Sequence, residues 1–366
     1  MRHASRAGGW CTEVEALVYQ GPWQLSVETV DDPSPGPGEV LIRVVATGIC
    51  GSDVHGFSGE TGRRHPGQVM GHEMVGRLEQ VGAGVDPQRG LQPGQVVTVN
   101  PLIACGGCAA CAAGSEQSCP HRRVIGVDPQ IVSAFAGLLV CPAQNVVVLP
   151  DRMPVEYGAL VEPLSVGYHA ARRGHCSTGD LVLVLGGGPI GQACVLAARR
   201  RGAETIAVSE PNPTRRALAA SLGALALDPT AGDLPGQVAA ALGGPATLVL
   251  DAVGNTGSLA DAVQCSVYGA SVVLVGMGSP RVELSAYAVS TEERSLVGSF
   301  CFSADDFRET ARWVAASPEA LSRLVDGRVD MHGAPDAFAE LARGESGASK
   351  ILVYPHGVPA TSDPRL

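Results

Sequence analysis

The chain has 366 residues, 45% hydrophobic and 17% charged, with 47 glycines and 26 prolines. That is long for one core and too apolar for a disordered or fibrous protein, so two turn-rich domains are expected. A formal net charge of −10, with no basic patch interleaved with aromatics, argues against nucleic acid or an anionic membrane as a partner.

No apolar signal core opens the N-terminus and no apolar run reaches bilayer length, which points to the cytoplasm. There the eleven cysteines are expected to bind metal or stay buried rather than pair as disulfides. Residues 1–15 and 356–366 lack periodicity and read as flexible ends. From 16 to 165, short apolar runs such as EVLIRVVATG and GQVVTVN alternate with Gly/Pro clusters such as PSPGPGE, the grammar of strands and turns. In this region Cys50 follows a strand, and the segment GHE supplies His72 and Glu73 ahead of the next apolar run. Between them Glu60, Arg63 and Arg64 read as a solvated loop, while His65, His121, His169 and His175 read as surface or satisfied histidines.

The stretch CGGCAACAAGSEQSC sets Cys105, Cys108, Cys111 and Cys119 at C-x2-C-x2-C-x7-C spacing. Four thiolates turned inward from a glycine-rich loop satisfy the tetrahedral preference of Zn2+ and leave no open position, so a structural zinc is expected ahead of an iron–sulfur cluster. Of the other cysteines only Cys50 stands among possible ligands; Cys11, Cys141, Cys176, Cys194, Cys265 and Cys301 read as inert. Lys350 is the sole lysine and is assigned no function. Glu162, in ALVEPLSVGYH, has apolar flanks that make an unpaired charge expensive, so it needs a cation or a strong donor. Cysteine, histidine and carboxylate with one open position describe a catalytic zinc that binds the substrate oxygen.

From 166 to 302 the texture becomes alternating strands and helices, including DLVLVLGGGPIGQACVLAARRRGAETIAVSE, TLVLDAVGN and ASVVLVGMG, which are βαβ units of a parallel sheet. Gly186, Gly188 and Gly191, with Ile190 among them, follow an apolar strand and open a helical segment. This is the phosphate-cradling turn of a dinucleotide site. Strand TIAVSE ends in Glu210, whose carboxylate accepts from ribose hydroxyls and repels a 2′-phosphate, favouring NAD over NADP. Arg215 is expected over the adenine. From 303 to 355 a helical pattern, ADDFRETARWVAA, leads to a closing strand, SKILVYP.

Taken together, GICGSDVH, GHE, the four-cysteine lobe, VEPLSV, GGGPIG and LVGSF, in that order, mark a chain that resembles the zinc-containing medium-chain alcohol dehydrogenases over about Ala16 to Pro355. With Glu162 in EPLSV it is similar to their polyol, threonine and butanediol branch. The resemblance implies an α/β protein: a GroES-like, mostly-β catalytic domain formed by 16–165 and 303–355, an inserted Rossmann domain with a doubly wound parallel sheet at 166–302, and a homodimer or homotetramer. It implies two zinc ions per chain, the catalytic one on Cys50, His72 and Glu162 with Glu73 as alternating ligand or neighbour. Ser52 and His55 would then carry the substrate proton, and Asp53 would accept a bond from His72. Sorbitol-type members place a tyrosine after the SDVH histidine and an arginine inside GVFRY, where this chain has Gly56 and Cys301, so the substrate is read only as a secondary alcohol: a vicinal diol, a polyol or a hydroxy amino acid. An NADPH-dependent ketone reductase and a zinc-free binding protein of the same fold are the alternatives; Glu210 opposes the first, and the Cys50, His72, Glu162 set opposes the second.

Overall fold

In the computed structural model, which describes residues 14–359, the apolar run Leu181–Leu185 is a strand buried on both faces. Val182 and Val184 enter one core with Val208 and Leu250, while Leu183 and Leu185 enter another with Ala207 and Val249. Successive side chains of a strand point to opposite faces, so only a sheet covered by helices on both sides buries such a run. The sheet is six-stranded and parallel, with Leu181–Leu185 central. Thr205–Ser209 and Leu225–Leu227 lie to one side, and Ala246–Asp251, Ser266–Leu274 and Ser295–Gly298 to the other. Strand order reverses beside Leu181–Leu185, which opens a crevice at its carboxyl end, the place where such sheets bind ligands.

The second unit is a seven-stranded sheet built around Glu39–Gly48, which pairs with Glu73–Val81, Leu138–Pro142 and, from the far end of the chain, Ile351–Tyr354. Strand Glu39–Gly48 is largely buried on both faces, with Val40, Ile42 and Val44 in one core and Leu41 in another. A three-stranded sheet begins at Val14–Gly21. Val14 and Glu15, expected in a loose end, open that strand, because Val14 packs into the core opposite Val30. The remainder of the expected N-terminal end, and residues 360–366, lie outside the described residues.

Helix Val161–Arg173 joins the two units and crosses helix Pro189–Arg200 closely. A Cβ on Gly167 would stand 2.4 Å from the backbone carbon of Ala193. Among the described residues no helix is long and apolar enough to cross a membrane.

Candidate active site

The strand Glu39–Gly48 delivers Cys50 as the N-cap of helix Gly51–Phe57. Pairing sets Gly48 directly opposite Glu73, and only a glycine fits there, since a Cβ would lie 2.2 Å from Glu73 Oε2. Cys50, His72 and Glu73 consequently offer ligand atoms all within 4.8 Å of one another. Glu162, expected as the third ligand, does not join that set. It stands buried in the first turn of its helix, close enough that its carboxyl, pushed up to about 8 chiefly by burial, also feels His72, Glu73 and Cys50. The Cys50 thiol is driven up to about 12 by burial and then by Glu73.

The strand register brings a residue that sequence reading passed over. Leu352 pairs with Gly48, which carries Lys350 inward until its Nζ lies 2.5 Å from Glu73 Oε2 and donates to the Ile49 carbonyl at 3.2 Å. Its signal in the sequence was its singularity, one lysine among 26 basic residues, ahead of an apolar strand.

Two buried atoms here have no partner, His72 Nδ1 and Glu73 Oε1. Asp53, fully buried, is nearest to the first at 3.6 Å, beyond hydrogen-bond length. Burial would lower the pKa of His72, but the carboxylates of Asp53, Glu162 and Glu73 outweigh it and raise it. A thiol, an imidazole and carboxylates crowded together, with Glu73 Oε1 an orphaned acceptor, fit a divalent cation, which would supply that oxygen's missing partner and reverse the mutual repulsion, while His72 Nδ1 faces Asp53.

The outer residues divide. Ser52 is exposed beside Cys50, whose thiol pKa its hydroxyl lowers slightly against the larger effects of burial and Glu73. His55 lies on the outer side of the helix with Nδ1 2.7 Å from Glu60 Oε2, a contact that lowers the Glu60 pKa. Arg63 and His65 are exposed as expected. Arg64 is not: its side chain is 4% exposed, with Nη2 3.5 Å from Asp53 and Nε 3.1 Å from Met70 Sδ. Cys301, expected to be inert, is half-buried next to the site, where its thiol feels Glu162, Arg122 and Cys50 after burial itself. Cys141, Cys176, Cys194 and Cys265 are buried as expected, and Cys11 lies outside the described residues.

The four-cysteine lobe brings Cys105, Cys108, Cys111 and Cys119 together, with sulfur separations of 3.4 Å, 3.5 Å and 4.0 Å. The Gly107 amide and Cys119 hold Cys105 down to about 6, while burial and Cys108 push Cys111 up to about 12. Four sulfurs at such spacing suit a cation that takes all four as thiolates.

At the cofactor loop, Gly186 has φ 89°, and a Cβ on Gly191 would lie 1.8 Å from the Gly186 oxygen. Both positions therefore require glycine. Gly188 is the N-cap of helix Pro189–Arg200 and faces open space, which leaves the helix N-terminus free for an anion. Ile190 packs against the core behind the loop. Glu210 is buried at the end of its strand, with Oε2 accepting from the Gly187 amide at 2.7 Å and Oε1 from Asn212 at 2.8 Å. Arg215 Nε is buried without a partner.

Fold and site define a class: a doubly wound dinucleotide sheet inserted into a β domain that carries a cysteine, histidine and carboxylate cluster. Residues 36–151 match the alcohol dehydrogenase GroES-like domain and 189–316 the zinc-binding dehydrogenase domain. L-galactonate-5-dehydrogenase of Escherichia coli is 33% identical over 86% of this chain and 91% of its own. L-idonate 5-dehydrogenase of Vitis vinifera is 33% identical over 84% of each. An NADP-bound structure from Sinorhizobium meliloti 1021, assigned to the zinc-binding dehydrogenases, superposes with a TM-score of 0.85 at 31% identity over 94% of this chain and all of that one. The chain belongs to the zinc-containing medium-chain alcohol dehydrogenase family, in its polyol dehydrogenase branch.

Proposed function

We propose that the protein is an NAD-dependent zinc dehydrogenase that interconverts a secondary alcohol, a vicinal diol, polyol or hydroxy amino acid, with its ketone. The observation that carries this reading is the Cys50, His72, Glu73 cluster, in which the buried Glu73 Oε1 lacks a partner. Zinc bound there would withdraw charge from the substrate oxygen and ease loss of its proton. Cys50 and His72 hold the metal, Glu73 or Glu162 completes the set, and Asp53 orients His72. Ser52 accepts the hydroxyl proton at Oγ as its own hydroxyl proton leaves toward His55. His55, on the solvent side of the same helix, passes it to water. The assembly is proposed to be a homodimer or homotetramer, as in the family.

Metal analysis of the purified protein should find about two zinc ions per chain, one for each site. Cys105→Ser should retain about one. A wild-type content of about one, lost altogether on Cys105→Ser, would sink the catalytic site.

The preference for NAD rests on Glu210. Glu210→Ala should shift the NAD-to-NADP ratio of kcat/KM toward NADP by about 10-fold or more, the worth of a charged hydrogen-bond partner. The variant also loses the acceptor for the Gly187 and Asn212 amides, so affinity for both cofactors should fall; the ratio carries the test. An unchanged ratio would remove Glu210 from cofactor selection.

A further inference from the structure

A second concavity opens at the opposite end of the dinucleotide sheet from the glycine loop. It encloses about 400 Å³ between the four-cysteine lobe, which contributes Ser115 and Gln117, and the ends of two helices, which contribute His169, Arg172, Arg173, His175 and Arg201. Arginines at helix C-termini ordinarily just complement the macrodipole. Here the arginines of two helix ends converge with two histidines on one cleft, in a chain whose net charge is −10.

The carboxylates around it are already engaged. Asp306 is buried and accepts from His169 Nδ1 at 2.7 Å and from Arg172 at 2.9 Å. Burial alone would raise its pKa, but His169, Ser303 and Arg172 hold it below the ordinary carboxylate range. Glu116 Oε2 accepts from the Ala304 amide, and Asp180 Oδ2 from the Ser177 amide. The lining itself carries three guanidinium charges and no carboxylate; Asp306 pairs with Arg172, while Glu116 and Asp180 keep their charge but turn it to backbone amides outside that lining.

The donors are also presented outward. Arg173 is anchored through Nε to the Gly298 carbonyl and Arg201 through Nε to that of Cys176, which leaves the terminal nitrogens of both for a ligand. Asp306 fixes His169 through Nδ1, so Nε2 is its free ring nitrogen. His175 sits beside them at φ 57°, the left-handed residue of the cap that closes helix Val161–Arg173, where the His175 and Cys176 amides donate to the Arg172 and Ala171 carbonyls.

We propose that this cleft binds a phosphorylated small molecule, at a site separate from that of the cofactor. Guanidinium forks bind phosphoryl oxygens in pairs, and several converging arginines suit a multiply charged phosphoryl group better than a single carboxylate. Arg201 and the glycine loop stand at opposite ends of a 12-residue helix, roughly 18 Å apart, so a dinucleotide on that loop keeps its own phosphates out of the cleft.

The test is calorimetric titration of pyrophosphate into the zinc-loaded protein saturated with NAD, which blocks the cofactor's phosphate site. One pyrophosphate per chain is expected. Arg173→Gln/Arg201→Gln should weaken it at least 10-fold, with NAD affinity and melting temperature unchanged. Gln117→Glu removes no charge partner and places an acid in the cleft, and it should weaken binding likewise. No binding by the wild type, or equal binding by both variants, would overturn the proposal. Citrate binding as tightly as pyrophosphate would overturn the phosphoryl assignment.

Discussion

Replacing Lys350 with methionine should destabilise the metal-free protein by about 3–5 kcal/mol, the cost of removing one partner from a buried ion pair. The side chains of Lys350 and Glu73 are 4% and 1% exposed, so water cannot substitute for the lost ammonium. The backbone cannot move to bring another donor either. Asp326 clamps the Ser349 and Lys350 amides at 2.6 Å and 2.8 Å, and Ser349 Oγ donates to Gln192, which reaches back to the Gly187 carbonyl of the cofactor loop. Glu73 would then stand unpaired beside Cys50 and Glu162. Zinc should restore much of the loss, because it supplies a cation to the same carboxylate. Denaturant titrations of the metal-free and zinc-loaded forms check this. The gap between the two forms should be wider in the variant than in wild type, and a metal-free variant as stable as wild type would refute the clamp.

That this pair escaped sequence reading has a physical cause. Glu73 and Lys350 are 277 residues apart, and only the pairing of strands Glu39–Gly48 and Ile351–Tyr354, across a whole inserted domain, makes them neighbours. What local pattern dictates was legible. The run at Leu181–Leu185 announces burial on both faces, Gly186 and Gly191 mark a turn that only glycine can make, and four cysteines at fixed spacing do converge. His169, read as satisfied, is buried against Asp306. What depends on the third dimension was not legible. Cys301 has an apolar context in the chain yet lies beside Glu162, and Glu73, read as a neighbour or alternate, is the carboxylate that closes on Cys50 and His72. Arg64 looked like one member of a charged loop, because sequence shows the charge of a side chain and not the space waiting for it.

That space is at Gly56, and adding a single methyl group there should expose its purpose. A Cβ at position 56 would lie 2.7 Å from Arg64 Nε and 2.8 Å from its Cγ, too close for the guanidinium to stay where it is. The missing branch tyrosine is thus no mere deletion, because the volume beside helix Gly51–Phe57 is filled from another part of the chain. Evicting Arg64 would remove a cation from fully buried Asp53, whose pKa is already raised by burial and restrained by His72 and Arg64. Gly56→Ala should therefore cost about 1–3 kcal/mol of stability, the range for overpacking a core site. It should also weaken zinc retention against a chelator by about 10-fold or more, as loss of support behind a histidine ligand does. In an Arg64→Met background the same change should cost less than about 1 kcal/mol, because the flexible thioether yields where the paired guanidinium cannot. A cycle with equal costs in both backgrounds would show that Gly56 and Arg64 act independently. Coupling in stability without any change in zinc retention would confine Arg64 to packing and remove it from the support of His72.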